Sequence, residues 1–208
     1  MKMDLSAYDG KIVRITDSDG HVFTGRASVQ SADWCFHVFN RDEEGIEVNG
    51  CSFFPPDIAE ITVQPNLAIL RATETWQQAG AYYVRIQAMA KKHRLTLRQE
   101  FDEHDGPETK YIVVTEDSFP IATARMYEID KTSVMIGRVV VLPEYRRQGI
   151  GTMVVNACEE WAAELNCTKA VVESRENKIA FYMQMDYEIV GEPVDGNTFR
   201  CVRMEKAL

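Results

Sequence analysis

The chain has no Cys-x-x-Cys pair, and its five cysteines (Cys35, Cys51, Cys158, Cys167 and Cys201) are odd in number and widely scattered. That pattern indicates neither a disulfide framework nor a zinc site. No apolar run approaches the ~20 residues that a membrane-spanning helix needs. The start, Met-Lys-Met-Asp-Leu-Ser, carries no signal-peptide core, so a soluble cytoplasmic protein with no membrane partner is expected. Positive charge is scarce: 23 Lys and Arg stand against 32 Asp and Glu, a formal net charge of -9. The shortage is greatest in residues 1–65, with 5 Lys and Arg against 11 Asp and Glu. A surface that acidic repels phosphate backbones, which argues against nucleic acid as a partner.

What is present is an ordinary globular balance over 208 residues, 45% hydrophobic and 26% charged. That length holds one large domain, or a small domain and a medium one. Residues 1–65 read as all-β. Lys11–Ile15 and His21–Ala27 flank Asp17-Ser18-Asp19-Gly20, a hairpin turn. Further short strands are expected at Trp34–Phe39, Ile46–Val48 and Glu60–Val63, which suggests a small curled sheet or barrel. Residues 66–77 read as a connection whose Leu67, Ile69, Leu70 and Trp76 pack on a domain surface. From residue 78 the pattern is mixed α/β. Tyr82, Ile86, Met89 and His93 recur at helical spacing, and strands are expected at Lys110–Val114, Pro120–Ile129 and Val134–Leu142. A helix with Val154, Cys158, Trp161 and Leu165 on one face follows. Then come a strand at Lys169–Glu173, a helix from about Glu176 to Met185, and strands near Tyr187–Val190 and Thr198–Glu205.

The most informative stretch runs from Val139 to Thr152. It reads as a buried β-branched strand, a basic turn with two glycines, and a helix start. Such a turn aims several backbone N–H groups and a helix N-terminus at one point, which suits a phosphate-bearing ligand. Gly149 and Gly151 allow close approach of the backbone, and Arg146 and Arg147 add positive charge. A P-loop is excluded because no Gly-Lys-Ser/Thr follows, and the dinucleotide fingerprint lacks its third glycine.

Arg146-Arg147-Gln148-Gly149-Ile150-Gly151, placed after Val-x-Val-Leu-Pro and before a helix, resembles the acyl-CoA loop of the GNAT N-acetyltransferase superfamily. The resemblance covers roughly residues 76–208. It implies an α/β (α+β) fold with a mixed, mostly antiparallel central sheet, here preceded by a small all-β barrel domain. The divisions are 1–65, a linker at 66–77, and an acyltransferase domain at 78–208. It also implies acetyl-CoA or coenzyme A as co-substrate, with no metal. Val139 and Val141 would offer backbone groups to the pantetheine arm, provided the strand splays from its neighbour. Amides from Arg147 through Gln148, Gly149, Ile150 and Gly151 to Thr152 would hold the diphosphate.

Ser174 to Tyr187 is similar to the family's Arg-Glu-Asn…Phe-Tyr…Gly-Tyr segment. Tyr182 then stands where many members place the proton donor to the CoA thiolate, and Asn177 where pantetheine is bound. Asp186 departs from the pattern, standing where glycine is common. For the base, Glu100 and Glu103 of the cluster Glu100–Asp105 are the candidates. That cluster together with Arg85-x-x-x-Met89 resembles an ElaA-like subgroup. The same cluster also reads as a solvated acidic loop or a cation-recognition site. Arg125 and Arg138 sit on predicted strands, where each either faces the cleft or the solvent.

Leu5…Tyr8-x-Gly10-Lys11-x-Val13…Asp19-Gly20-x-x-Phe23-x-Gly25 is similar to the first half of an Sm-like (SH3-like) barrel. Such a segment reads as an appended folding or dimerisation module, and a homodimer follows from the second reading. The leading expectation is an N-acyltransferase moving an acyl group directly to a primary amine of a small molecule or peptide. The alternative is a non-catalytic acyl-CoA-binding regulator whose barrel mediates protein interaction.

Overall fold

Alternating apolar residues in Lys11–Gln30 build the first hairpin, with Gly20 taking the positive φ of +84° its turn requires. In the computed structural model, which describes residues 3–195 and 200–208, β1 (Ile12–Asp17) pairs β2 (Val22–Gln30) in antiparallel register, Arg14 opposite Thr24. With β3 (Gly45–Val48), β4 (Cys51–Phe53) and β5 (Ile58–Val63) these strands form a five-stranded antiparallel sheet, ordered β4-β3-β2-β1-β5. Leu5, Val13, Ile15, Ile46, Val48 and Ile58 make a small core of their own.

Trp34–Phe39, expected as a strand, is instead helix α1 (Ala32–Phe39). Ser31 caps it by accepting a hydrogen bond from the Trp34 N–H, Asp33 sits favourably in the first turn, and Asn40 ends it at φ +56°. Local capping outweighed the aromatic content of the run. Trp34, Phe36, Val38 and Phe39 are left exposed.

The stretch read as a connection also carries structure. Leu67–Arg71 is β6, an edge strand of the second sheet, paired to β7 (Lys110–Glu116), and helix α2 begins at Thr75. Only residues 64–66 separate β5 from β6, and Leu67 is buried in the main core. α2 (Thr75–Arg85) continues through a π-helical turn (Ile86–Ala90) into α3 (Lys91–His93), as the spacing of Tyr82, Ile86, Met89 and His93 predicts. A short helix, α4 (Leu97–Glu100), follows.

The second sheet is eight-stranded. Its path is β11 (Glu188–Ile189), β13 (Arg200–Ala207), β10 (Lys169–Arg175), β9 (Ser133–Val141), β8 (Phe119–Glu128), β7 and β6, with β12 (Val194–Asp195) also paired to β13. All these pairings are antiparallel except that of β9 with β10. This is the mixed, mostly antiparallel sheet expected. Thr198 and Phe199, placed by the sequence in the last strand, lie outside the described residues. On one face α5 (Ile150–Glu164) buries Ile150, Met153, Val154, Ala157 and Cys158 against the sheet. On the other, Val84 and Ala88 pack on Val140 and Leu142. No described helix is long and apolar enough to cross a membrane.

The first sheet packs against the helix layer of the second. β2 packs on α5, Ile12 joins the main core, and a cavity of about 210 Å³ between them is lined by Arg26, Asn49, Met153 and Glu160, among others.

Candidate active site

A bulge in β9 creates the cleft. Thr123 of β8 faces Val140 and Arg125 faces Gly137, so β9 uses one residue more than β8 over this interval. Arg138 absorbs the excess at φ +50°, a conformation non-glycine residues rarely hold. β9 and β10 pair in parallel only from Lys169↔Ser133 to Val171↔Met135. Beyond that, Val172–Arg175 stay paired to β13, while β9 from Ile136 to Val141 has no strand partner on its β10 side among the described residues. The strands therefore splay, as the pantetheine expectation required. Val139 and Val141, half-buried, line the side of β9 that packs toward α5.

At the open end of the splay the chain turns through Pro143–Tyr145 and enters α5. Arg147 takes φ +59° and Gly149, the N-cap, φ +77°. No side chain caps α5 and no acid stands in its first turn. Among the described residues, the N–H groups from Arg147 to Thr152 have no hydrogen-bond acceptor. Six consecutive unpaired donors at a helix N-terminus make a site for an anion. Arg146, exposed, closes the turn by donating from Nε to the Val141 carbonyl at 2.9 Å. Gln148 accepts from Arg14 through Oε1.

Tyr182 lies on α6 (Ile179–Met183) at 9% exposure, wedged edge-on between Phe181 and Tyr187. Its hydroxyl has no hydrogen-bond partner among the described residues. Burial, and then the neighbouring Cys158, push its phenol above the ordinary value, against a weaker pull from Arg175. The group keeps its proton throughout the neutral range, the state a donor to a thiolate needs. Cys158 is fully buried and its thiol is likewise pushed up, so it is no nucleophile. Asn177 is exposed on the 3-10 turn before α6, and Asp186 adopts φ +64°, the left-handed conformation that glycine holds most easily.

Glu100 and Glu103 part company. Glu100 is 1% exposed, and its Oε1 accepts from Arg85 Nε at 2.8 Å, with Arg85 itself fully buried. Arg85 also bridges to Asp105 at 2.5 Å. Arg125 then binds Asp102 at 2.6 Å and Asp105 at 2.9 Å, and Arg138 binds Asp102 at 2.8 Å. Within the acidic run, Glu100, Asp102 and Asp105 are thus engaged by arginines, while Glu103 and His104 are exposed. Three arginines face three carboxylates in a largely buried network; burial would raise the Asp102 and Asp105 carboxyls, but hydrogen bonds from Arg125 and Arg85 outweigh it and hold both below the usual range. Glu103 is exposed elsewhere, in a pocket with His104, whose ring stacks on Tyr127 at 4.2 Å. Arg125 and Arg138 both join the network.

Sequence reasoning gave His93 and Arg175 no role in the site. Arg175 donates to Met89 Sδ at 3.6 Å from the far side of the splay. Burial, Arg175 and Lys92 hold the His93 imidazole below its ordinary value, hence neutral. The helical spacing of His93 was visible, but its neighbours are set by the fold. Among the described residues, the acidic and histidine groups with ligand atoms close together are Asp17, Asp19 and His21. Their proximity is that of an ordinary turn, in which Asp17 Oδ1 accepts from the Asp19 and His21 N–H groups.

Residues 70–187 match the profile of the Acetyltransferase (GNAT) family. The Uncharacterized N-acetyltransferase YjcF of Bacillus subtilis is 26% identical over 116 residues, covering 56% of this chain and 81% of that protein. A crystal structure of a putative N-acetyltransferase from Lactobacillus plantarum superposes with TM-score 0.65 at 26% identity, covering 68% of this chain and 98% of that one. Escherichia coli ElaA, at 16% identity, shares the fold with TM-score 0.59 over 67% of this chain and 99% of its own. With the family profile spanning more than half of its length, this chain belongs to the GNAT acetyltransferase family.

Proposed function

We propose that acyl-CoA lies across the end of the splay, with its diphosphate on the N–H groups of Arg147–Thr152 and its pantetheine arm along Val139–Val141. Membership of the family makes the protein an acyl-CoA-dependent N-acetyltransferase with acetyl-CoA as co-substrate. The observation that carries this placement is the run of unpaired donors at the uncapped start of α5. Asn177, exposed beside α6, is the further contact to the arm. An amine entering between β9 and β10 attacks the thioester directly, and a free N–H on the unpaired edge of β9 stabilises the oxyanion. Tyr182 gives its proton to the departing thiolate. Glu100 we read as the counter-ion that fixes Arg85, not as the base, and Glu103 as a surface residue. His93 offers a neutral imidazole at the acceptor end, the form a proton acceptor needs.

Tyr182→Phe keeps the ring packing and removes the hydroxyl. Turnover with any active amine falls by roughly a hundredfold, within the range for a lost general acid, while CoA affinity stays within about twofold. Free thiol release measured across an amine panel, beside a CoA titration, checks it. Unaltered turnover takes Tyr182 out of the mechanism, and no turnover by the wild type with any amine favours the regulatory alternative.

Two finer readings concern kinship. The ElaA-like assignment rests on Arg85-x-x-x-Met89 with Glu100–Asp105, and likeness to ElaA itself speaks to fold alone. The Sm-like reading of residues 1–65 has the meander β1 to β4 and the return of β5 to β1 as its support, and the transferase unit then begins with β6 at Leu67 in place of residue 78. A dimerisation role for that module has the exposed aromatic face of α1 behind it. Phe36→Glu then shifts the sedimentation of the protein from dimer to monomer; identical sedimentation of variant and wild type removes this role.

A further inference from the structure

The loop before α5 is walled on one side by the N-terminal sheet. The backbone of Phe23 and Thr24 lies against Gly149, and Arg14 Nη2 donates to Gln148 Oε1 at 2.6 Å. Arg14 and Thr24 are cross-strand partners, on the face opposite to Val13 and Ile15 of the small core. Solved structures of this fold are 98–99% covered by about two thirds of this chain, so a sheet in this position is an addition to what they have.

Arg14 is half-buried, yet among the described residues it makes no ion pair, and its Nε is buried without a hydrogen-bond partner. The segment that carries it has 11 acids for 5 bases. None of those acids has been placed within ion-pair distance of this arginine; a neutral Gln148 amide takes that position. Keeping a partly desolvated guanidinium without a counter-ion is unfavourable in the empty protein. An anion on the adjacent loop offsets that cost.

We propose that Arg14 is a positioning residue of the acyl-CoA site, which orients Gln148 and supplies the positive charge that the diphosphate neutralises. This rests on the reading of Arg147–Thr152 as the diphosphate cradle. The N-terminal sheet is then part of the co-substrate site, and the CoA affinity of the transferase depends on its being docked. Arg14 acts on the diphosphate alone, so a ligand without that group is indifferent to it.

Wild type, Arg14→Gln and Arg14→Lys are each titrated calorimetrically with CoA and with pantetheine, the same thiol arm without the diphosphate, at low and at moderate salt. Thermal unfolding of each variant establishes that it is folded. Arg14→Gln loses roughly tenfold in CoA affinity, typical of one charge-assisted contact, and its CoA binding depends less on salt. Its pantetheine affinity equals that of the wild type, and Arg14→Lys regains most of the CoA affinity. An equal loss for both ligands makes Arg14 a brace between the sheets and overturns the proposal. Wild-type CoA affinity in Arg14→Gln overturns it too. A wild-type protein that binds CoA no better than pantetheine overturns the cradle itself, and the proposal with it.

Discussion

Gly149→Ala abolishes measurable acyl-CoA binding, a loss of at least about a hundredfold, whereas Gly151→Ala leaves affinity within a few fold. Gly149 sits at φ +77°, which costs an L-residue about 1–2 kcal/mol before any contact is counted. A Cβ there would also press inside the contact distance of the Thr24 backbone nitrogen and stand 3.2 Å from Phe23 backbone atoms. β2 is paired on both sides, to β1 and β3, so its backbone has little room to retreat. The loop must move instead, and with it the donors of Arg147–Thr152. At Gly151 a Cβ would meet the Phe181 ring at 3.5 Å and Val141 Cγ2 at 3.8 Å, ordinary contact distances. Alanine is also the better helix residue there. Titrating both variants with CoA and comparing their urea midpoints checks the pair. Wild-type affinity in Gly149→Ala would show that the loop does not hold the diphosphate.

That contrast shows how far the sequence could be read. Gly149 was legible as a residue the loop needs, but the reason read from the sequence, close approach of a ligand, is only half of it. The direction in which its side chain would point belongs to β2, more than a hundred residues earlier in the chain. The strand, turn and helix from Val139 to Thr152 were legible because each is specified locally, by β-branched residues, by glycine and proline, and by helical periodicity. The splay was not. It follows from one excess residue in β9 with Arg138 at positive φ, and no residue type announces that conformation. α1 failed for a related reason. Trp34–Phe39 has the aromatic content of a strand, and the decisive signals, Ser31 before it and Asn40 after it, were outside the run that was weighed.

The acidic cluster marks the other limit. Glu100–Asp105 was visible as a charge run, but its partners lie 15 to 36 residues away, on α2, β8 and β9. Chain topology brings Arg85, Arg125 and Arg138 to it, and burial then makes the pairing obligatory. A run of carboxylates in a chain with arginines among apolar residues on one helix and two strands is weak evidence for a base. It is better evidence for a structural lock between α2 and the strands β8 and β9.

Removing one member of that lock is predicted to be more damaging than removing any surface charge. Arg85→Met leaves Glu100, 1% exposed, and Asp105, 5% exposed, without their main counter-ion. Breaking a buried pair in this way costs about 3–5 kcal/mol, a large part of the 5–15 kcal/mol that holds a typical domain folded. The pH dependence identifies the cause. In the wild type, burial alone would raise the Asp105 carboxyl, but hydrogen bonds from Arg85 and Tyr111 and the charge of Arg85 outweigh it and hold the group well below the usual range. A depressed folded-state pKa contributes stability that is fully present above the unfolded value, about 4, and is lost as pH falls through the folded one. Wild-type stability therefore falls below about pH 4. In Arg85→Met the Asp105 carboxyl loses the hydrogen bond and charge of Arg85 but keeps Arg125 and Tyr111, so it is depressed less and the variant loses less stability than the wild type as pH falls below about 4. Adding Glu100→Gln and Asp105→Asn removes the two carboxylates that have lost Arg85 and recovers part of the loss at pH 7. Urea unfolding of the single and triple variants at pH 3 and pH 7 measures all of this. A single variant as stable as the wild type at pH 7, or one with an unchanged pH profile, would show that the network does not hold the cleft together.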